Sequence, residues 1–158
     1  MIRTTVCYLF KDDYCLMMHR NKKKNDPNQG KFIGVGGKIQ DGETPLACIK
    51  REVFEETGLI LKALSYHGIV WFISDQHEHE EMHLFTSNHA EGTMHPSDEG
   101  DLLWVHQKEV LSLNLWEGDR IFHTLIQKKH PFFQLKLIYV GDHLKKAYLD
   151  GHSIDLKK

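Results

Sequence analysis

The 158-residue sequence contains no apolar run near the 18 or so residues that a helix needs to cross a bilayer, so a helical membrane-spanning protein is excluded. Cysteine is sparse. Cys7, Cys15 and Cys48 make an odd set without C-x-x-C spacing, which argues against a disulfide framework or a zinc knuckle and for reduced, buried thiols. Proline numbers only four, and no repeat, low-complexity tract or linker interrupts the chain, so residues 1–158 read as a single domain. Neither sign of charge is in excess: 20 Lys and Arg face 22 Asp and Glu, a net charge of -2. That balance speaks against a stable nucleic-acid partner or an anionic membrane surface, and any polyanion bound must meet local charge or a metal ion. The opening MIRTTVCYLF lacks the long apolar block and cleavage site of a signal peptide, so a cytoplasmic protein is expected, as monomer or homodimer. Histidine is the residue in surplus, with 12 copies, of which His67, His77, His79, His83, His89 and His95 fall in one stretch.

Residues 3–10 and 14–20 alternate apolar and polar around Lys11-Asp12-Asp13, the pattern of a β-hairpin. Residues 21–30, NKKKNDPNQG, carry turn formers and no periodicity and read as a loop. Most of its charges suit a solvated connection, with Arg20 and Lys23 as candidates for greeting phosphates. Residues 31–35 make a short strand. Residues 44–57 place Leu46, Ile49 and Val53 at helical spacing between a Thr44-Pro45 start and a Gly58 stop. Strands are expected at 64–73 and 81–87, a polar loop at 88–100, a short strand at 102–105, a helical turn at 108–111, a helix at 117–129, and a closing strand pair at 132–140 and 145–149. This order suggests a mixed sheet between helices, an α/β (α+β) fold.

Chemistry concentrates in residues 36–59, GGKIQDGETPLACIKREVFEETGL. Glu52, Glu55 and Glu56 fall within roughly a 100° arc of the helix, at the rim of its apolar stripe. Like charges at i,i+4 such as Glu52 and Glu56 are unfavourable, more so beside a core, and Arg51 is one cation against three acids. An oxygen-only, partly open cluster suits Mg²⁺, with Mn²⁺ as the alternative, and so points to metal-assisted phosphoryl chemistry. An isolated E-x-x-E-E triplet is usually a solvated face. The full pattern, however, fixes Gly37, Glu43, Arg51, Glu52, Glu55, Glu56 and Gly58 with aliphatic Val53 and Leu59 at set spacing. Seven identities at about 7% each give a chance match on the order of 10⁻⁸ per starting position.

Over residues 37–59 the chain resembles the Nudix hydrolases, with no mismatch to their box. The resemblance implies an α/β/α sandwich with a mixed central sheet, and hydrolysis of a nucleoside diphosphate linked to another group. It implies Glu52, Glu55 and Glu56 as metal ligands with the Gly37 carbonyl, Arg51 orienting the acids, Glu43 bracing the loop, and Glu56 as leading general base with Glu52 beside it. Glu99, in Ser97-Asp98-Glu99, is the candidate further ligand from a facing loop.

Residues 30–38, Ser97-Asp98-Glu99, Trp104, residues 115–119 (LWEGD) and residues 127–129 (QKK) are similar to the branch that clears oxidised purine nucleoside triphosphates. That likeness implies release of the monophosphate and pyrophosphate, with Trp116 stacking on the base and Asp119 bonding its edge. Ile33 stands where the animal enzymes of that branch carry an Asn, and Gly118 where they carry the first of two adjacent acids. Phe32 and Ile33 are expected to line an apolar slot for the base. Dinucleoside polyphosphates and nucleotide sugars are the alternative substrates, and a nucleotide-sensing module without catalysis the alternative class. The stretch from His77 to His83 is expected to be a solvated surface rather than a zinc or nickel site.

Overall fold

A computed structural model describes residues 1–156. Strand β1 (Ile2–Lys11) turns through Asp12-Asp13 into β2 (Tyr14–His19), and β3 (Phe32–Ile33) and β4 (Val35–Lys38) follow. Helix α1 (Pro45–Thr57), β5 (Ile60–Ser74), β6 (Glu80–Glu91) and β7 (Asp101–His106) come next. A 3₁₀ segment (Gln107–Ser112), α2 (Glu117–Gln127), β8 (Phe133–Val140), β9 (His143–Leu149) and β10 (His152–Ser153) complete the order. The strands form one mixed sheet in the order β10-β9-β8-β5-β6-β1-β2-β3, with β4 paired to β1 and β7 to β2. The pairs β1–β6 and β5–β8 are parallel and the other pairs antiparallel.

The alternation in β1 explains the layers. Val6 and Tyr8 enter the core that holds Phe122 of α2, together with Leu84, Leu135 and Leu137. Cys7 and Leu9 enter the opposite core with Ile49 and Val53 of α1. A helix therefore covers each face of the sheet, the α/β/α sandwich the box implied. All three cysteines are free and buried. Among the described residues no helix is long and apolar enough to cross a membrane.

Helix α1 starts where the Thr44 hydroxyl accepts from the Ala47 amide at 3.1 Å, with Pro45 in its first turn, and ends at Gly58 with φ 82°. Cys48, Ile49, Val53 and Thr57 form its buried face, while Leu46 is 46% exposed; the stripe is rotated from the expected one. In α2 the fully buried apolar anchor is Phe122, with Ile121 and Leu125 packed at the margin. Strands β5 and β6 are longer than expected, and β6 takes in residues 88–91 of the expected loop. Register shifts at Leu61/Ala63, Ala63/Ser65 and Tyr66/Gly68 break the two-residue period there, and that period is what a strand reading relies on.

Candidate active site

The β4–α1 connection brings the box acids together around Arg51. Arg51 Nε donates to Glu43 Oε2 at 2.8 Å and an Nη donates to Glu43 Oε1 at 3.0 Å, a two-pronged clamp. The other Nη reaches Glu52 Oε1 at 2.8 Å and Glu55 Oε2 at 3.2 Å, and Arg51 also donates to the Lys38 carbonyl. These hydrogen bonds hold the Glu43 carboxyl down at about 2. Arg51 therefore ties the loop to the helix, with Glu43 as its anchor. Lysine keeps the charge without the fork, so Arg51→Lys is expected to lower kcat at least about tenfold by letting Glu52 drift; an unchanged kcat in steady-state assays would show that the clamp is not needed.

Glu52 lies against Gly37, where a β-carbon would run into its carboxylate. Burial pushes the Glu52 carboxyl up, and Glu55 and Glu99 add to this. Glu56 is pushed up to about 7, first by desolvation and then by Glu99 and Glu52, although the Ser97 hydroxyl donates to it at 2.8 Å. Glu55 stands further out, its side chain 56% exposed. Beyond its place opposite Thr5 in the β1–β4 ladder, the Gly37 carbonyl lies 3.5 Å from Thr5 Oγ1 and 3.7 Å from Cys48 Sγ. Among the described residues no three Asp, Glu, His or Cys side chains are closed into a metal-holding group; Arg51 and Ser97 take lone pairs that a cation would use. The donor set itself fits a hard divalent ion, since it is all oxygen, and Glu52 and Glu56 are raised first by burial and then by neighbouring acids.

A cavity of about 600 Å³ adjoins these acids on the α2 side of the sheet. Gly37 and Glu99 belong to its wall as well as to the acid cluster. Ile33, Lys23, Trp116 and Asp119 all line it. Lys23 Nζ lies 3.9 Å from Glu99 Oε1, and Arg20, also in the wall, is clamped to Asp26 at 2.8 Å. Trp116 is held by a 2.8 Å bond from its Nε1 to Asn28 Oδ1, and Lys31 Nζ sits 4.7 Å from its ring centre. Asp119, 5% exposed, is pushed up to about 8 by desolvation and then by the charge of Glu80.

Phe32 must be corrected: it does not line the cavity but stacks on His19 at 4.3 Å and packs on the core. One-residue alternation in β3 turns Ile33 inward and Phe32 away. Gly118 faces the side-chain tips of Leu137 and Tyr139, 2.5 and 2.8 Å from where a β-carbon would stand, so a side chain at position 118 would have to displace them. The stretch from His77 to His83 is not uniformly solvated. His77 and Glu78 border the cavity, while His83, 5% exposed, bonds Glu81 and Tyr66 on the other face. Asn28, Phe72, Glu80 and Tyr139 also line the wall, and no local sequence signal marks them.

Glu56 and Asp119, the two most strongly raised carboxyls, set the same pH trend for the metal-free protein. Each has a folded pKa above its unfolded value, so its contribution is complete below about 4 and is lost as pH rises through about 7 for Glu56 and about 8 for Asp119. A melting temperature about 5 °C lower at pH 8.5 than at pH 5 is expected, and Asp119→Asn should flatten the calorimetric profile. A flat wild-type profile would contradict the assigned shifts.

A NUDIX domain profile matches residues 1–126. The chain is 32% identical over 111 residues to the oxidized purine nucleoside triphosphate hydrolase of Mus musculus, covering 70% of this chain and 71% of that protein. The corresponding enzyme of Danio rerio matches at the same identity and coverage of this chain. In three dimensions the chain is similar to a MutT protein from Bacillus halodurans, with TM-score 0.84 and 29% identity over 95% of this chain and 98% of that one. The box, the sandwich and these likenesses agree: the chain belongs to the Nudix pyrophosphohydrolase family.

Proposed function

We propose that the protein hydrolyses nucleoside triphosphates to the monophosphate and pyrophosphate with a divalent ion, Mg²⁺ or Mn²⁺, and that oxidised purine nucleotides such as 8-oxo-dGTP are its substrates. The observation that carries this reading is the shared wall. Gly37 and Glu99 connect a base-sized cavity with Trp116 and Asp119 to the box acids, so one nucleotide spans both. The names of the mouse and zebrafish relatives point the same way.

Glu52, Glu55, Glu56, the Gly37 carbonyl and Glu99 would hold the ion. When bound, it supplies charge neutralisation at the phosphates and a more acidic attacking water. Glu56, whose carboxyl burial raises in the metal-free protein, would serve beside the phosphates as the proton acceptor. Arg51 fixes Glu52, Lys23 and Arg20 offer charge to the phosphate tail, and Trp116 offers a ring to the base. Phosphate and pyrophosphate release from a panel of dGTP, 8-oxo-dGTP, other nucleoside triphosphates, ADP-ribose and diadenosine polyphosphates tests the proposal. Pyrophosphate release with a preference for 8-oxo-dGTP is expected; cleavage confined to the last two compounds would overturn it. Trp116→Ala should raise KM about tenfold with kcat little changed, measured on the preferred triphosphate, and an unaltered KM would remove Trp116 from the base site.

A further inference from the structure

Loop 21–30 is mostly exposed, yet it buries one carboxylate, Asp26, whose side chain is 2% exposed. A buried carboxylate is costly unless its oxygens are paired. Asp26 meets that condition with two separate partners: Oδ2 accepts from Arg20 Nε at 2.8 Å, and Oδ1 accepts from the backbone N–H of Asn28 at 3.0 Å. Asn28 is thereby seated in the cavity wall, and its own side-chain Oδ1 accepts from Trp116 Nε1 at 2.8 Å, across 88 residues of sequence. An indole N–H only donates, so the bond also decides that the amide turns its oxygen to the ring. The loop is fastened by other means as well. Arg20 and Lys31 pair through a backbone bond of 2.9 Å, the Gly30 N–H reaches the Arg20 carbonyl at 2.8 Å, and Asn114 Nδ2 donates to the Gly30 carbonyl at 3.0 Å.

We infer that Asn28 is a positioning residue for Trp116: its amide sets the plane of the indole on the cavity wall, and loop 21–30 thereby governs how well a flat ring stacks there. Trp116 stands at the N-cap of α2 and makes an edge-on contact with Tyr139 at 5.9 Å between ring centres. One edge contact leaves the ring free to turn about its side-chain bonds, and a stacking surface that turns gives back in rotamer entropy what it gains in contact. The Nε1 bond removes that freedom before a ligand arrives, which is preorganisation. Asn28 makes no hydrogen bond to Glu52, Glu55, Glu56 or Glu99 among the described residues. Its loss therefore weakens binding of the ring and leaves the bond-breaking step alone. The other fasteners of the loop remain in place when the Asn28 amide is removed, so the variant keeps its fold.

The effect on affinity rests on the nucleotide reading of the cavity, whereas the bond itself is tested without a ligand. The chain has three tryptophans, Trp71, Trp104 and Trp116, and the indole N–H signal missing from the ¹⁵N spectrum of Trp116→Phe belongs to Trp116. Its exchange with solvent should quicken about tenfold in Asn28→Ala and stay near the wild-type rate in Asn28→Asp, which keeps an acceptor oxygen. An unchanged rate in Asn28→Ala would overturn the inference. With the preferred triphosphate, Asn28→Ala should raise KM about fivefold at constant kcat, and Asn28→Asp should restore it. Trp116→Phe keeps a ring but loses the donor, so it should match Asn28→Ala, and the double variant should be no worse than either. Effects that multiply in the double variant, or a fall in kcat, would show that Asn28 does not act through Trp116 and would overturn the inference. A wild type that cleaves no triphosphate would fail the proposed reaction instead, and the exchange comparison then still decides whether Asn28 fixes the ring.

Discussion

Glu56→Gln is expected to lower kcat for pyrophosphate release at least about 10³-fold while leaving the melting temperature of the metal-free protein unchanged or higher. The amide has the shape of the acid and still accepts the Ser97 hydroxyl bond that holds Glu56 at 2.8 Å, so the helix face is not disturbed. What changes is charge. Glu56 is half-buried near Glu52 and Glu99, and its high pKa records how poorly that neighbourhood tolerates a further anion. Removing the anion relieves the fold and disables proton transfer, so activity and stability move in opposite directions. Glu52→Gln should also lose most activity, though it additionally loosens the Arg51 contact at 2.8 Å. Glu55→Gln should cost less, because Glu55 is more exposed and bound only by the longer Arg51 contact. Steady-state rates with thermal melts on the three variants test the ranking; a fully active Glu56→Gln would remove Glu56 from the reaction.

The parts of the molecule that local spacing governs could be read from the sequence. Thr44, Pro45 and Gly58 mark α1 because caps act within a few residues, and the box acids share a face because helical geometry is regular. The sandwich followed from the family likeness, which the order of elements supported. The cavity was only partly readable. Trp116, Asp119 and Ile33 came from resemblance and Lys23 from the charge of its loop, but Glu80 and Asn28 enter the wall through the parallel pairing of β1 with β6 and the long-range bond to Trp116. Such partners, tens of residues apart, leave no periodic trace. Leu46 and Phe32 show the converse error: both are apolar at acceptable spacing, yet one is exposed and the other turned away from the cavity. Apolar character alone does not choose between core, surface and ligand.

Gly36→Ala is expected to destabilise the protein by about 3 kcal/mol or more and to abolish turnover with it. Gly36 pairs with Val6 in the β1–β4 ladder, and a β-carbon there would overlap the Thr5 carbonyl oxygen. That obstacle is backbone, not a flexible tip, so the strands must part. The displacement passes directly to Gly37, which pairs with Thr5, touches Glu52 and walls the cavity. Gly42→Ala is the control. Gly42 has φ 77° with nothing within 4 Å, so its alanine meets backbone strain of about 1 kcal/mol but no collision. Thermal melts should therefore drop by about 10 °C for Gly36→Ala and by a few degrees for Gly42→Ala, with activity lost only in the first. If both variants behaved alike, Gly36 and Gly42 would serve backbone conformation alone. The difference between them measures how tightly β4 must approach β1 to hold Glu52 in place.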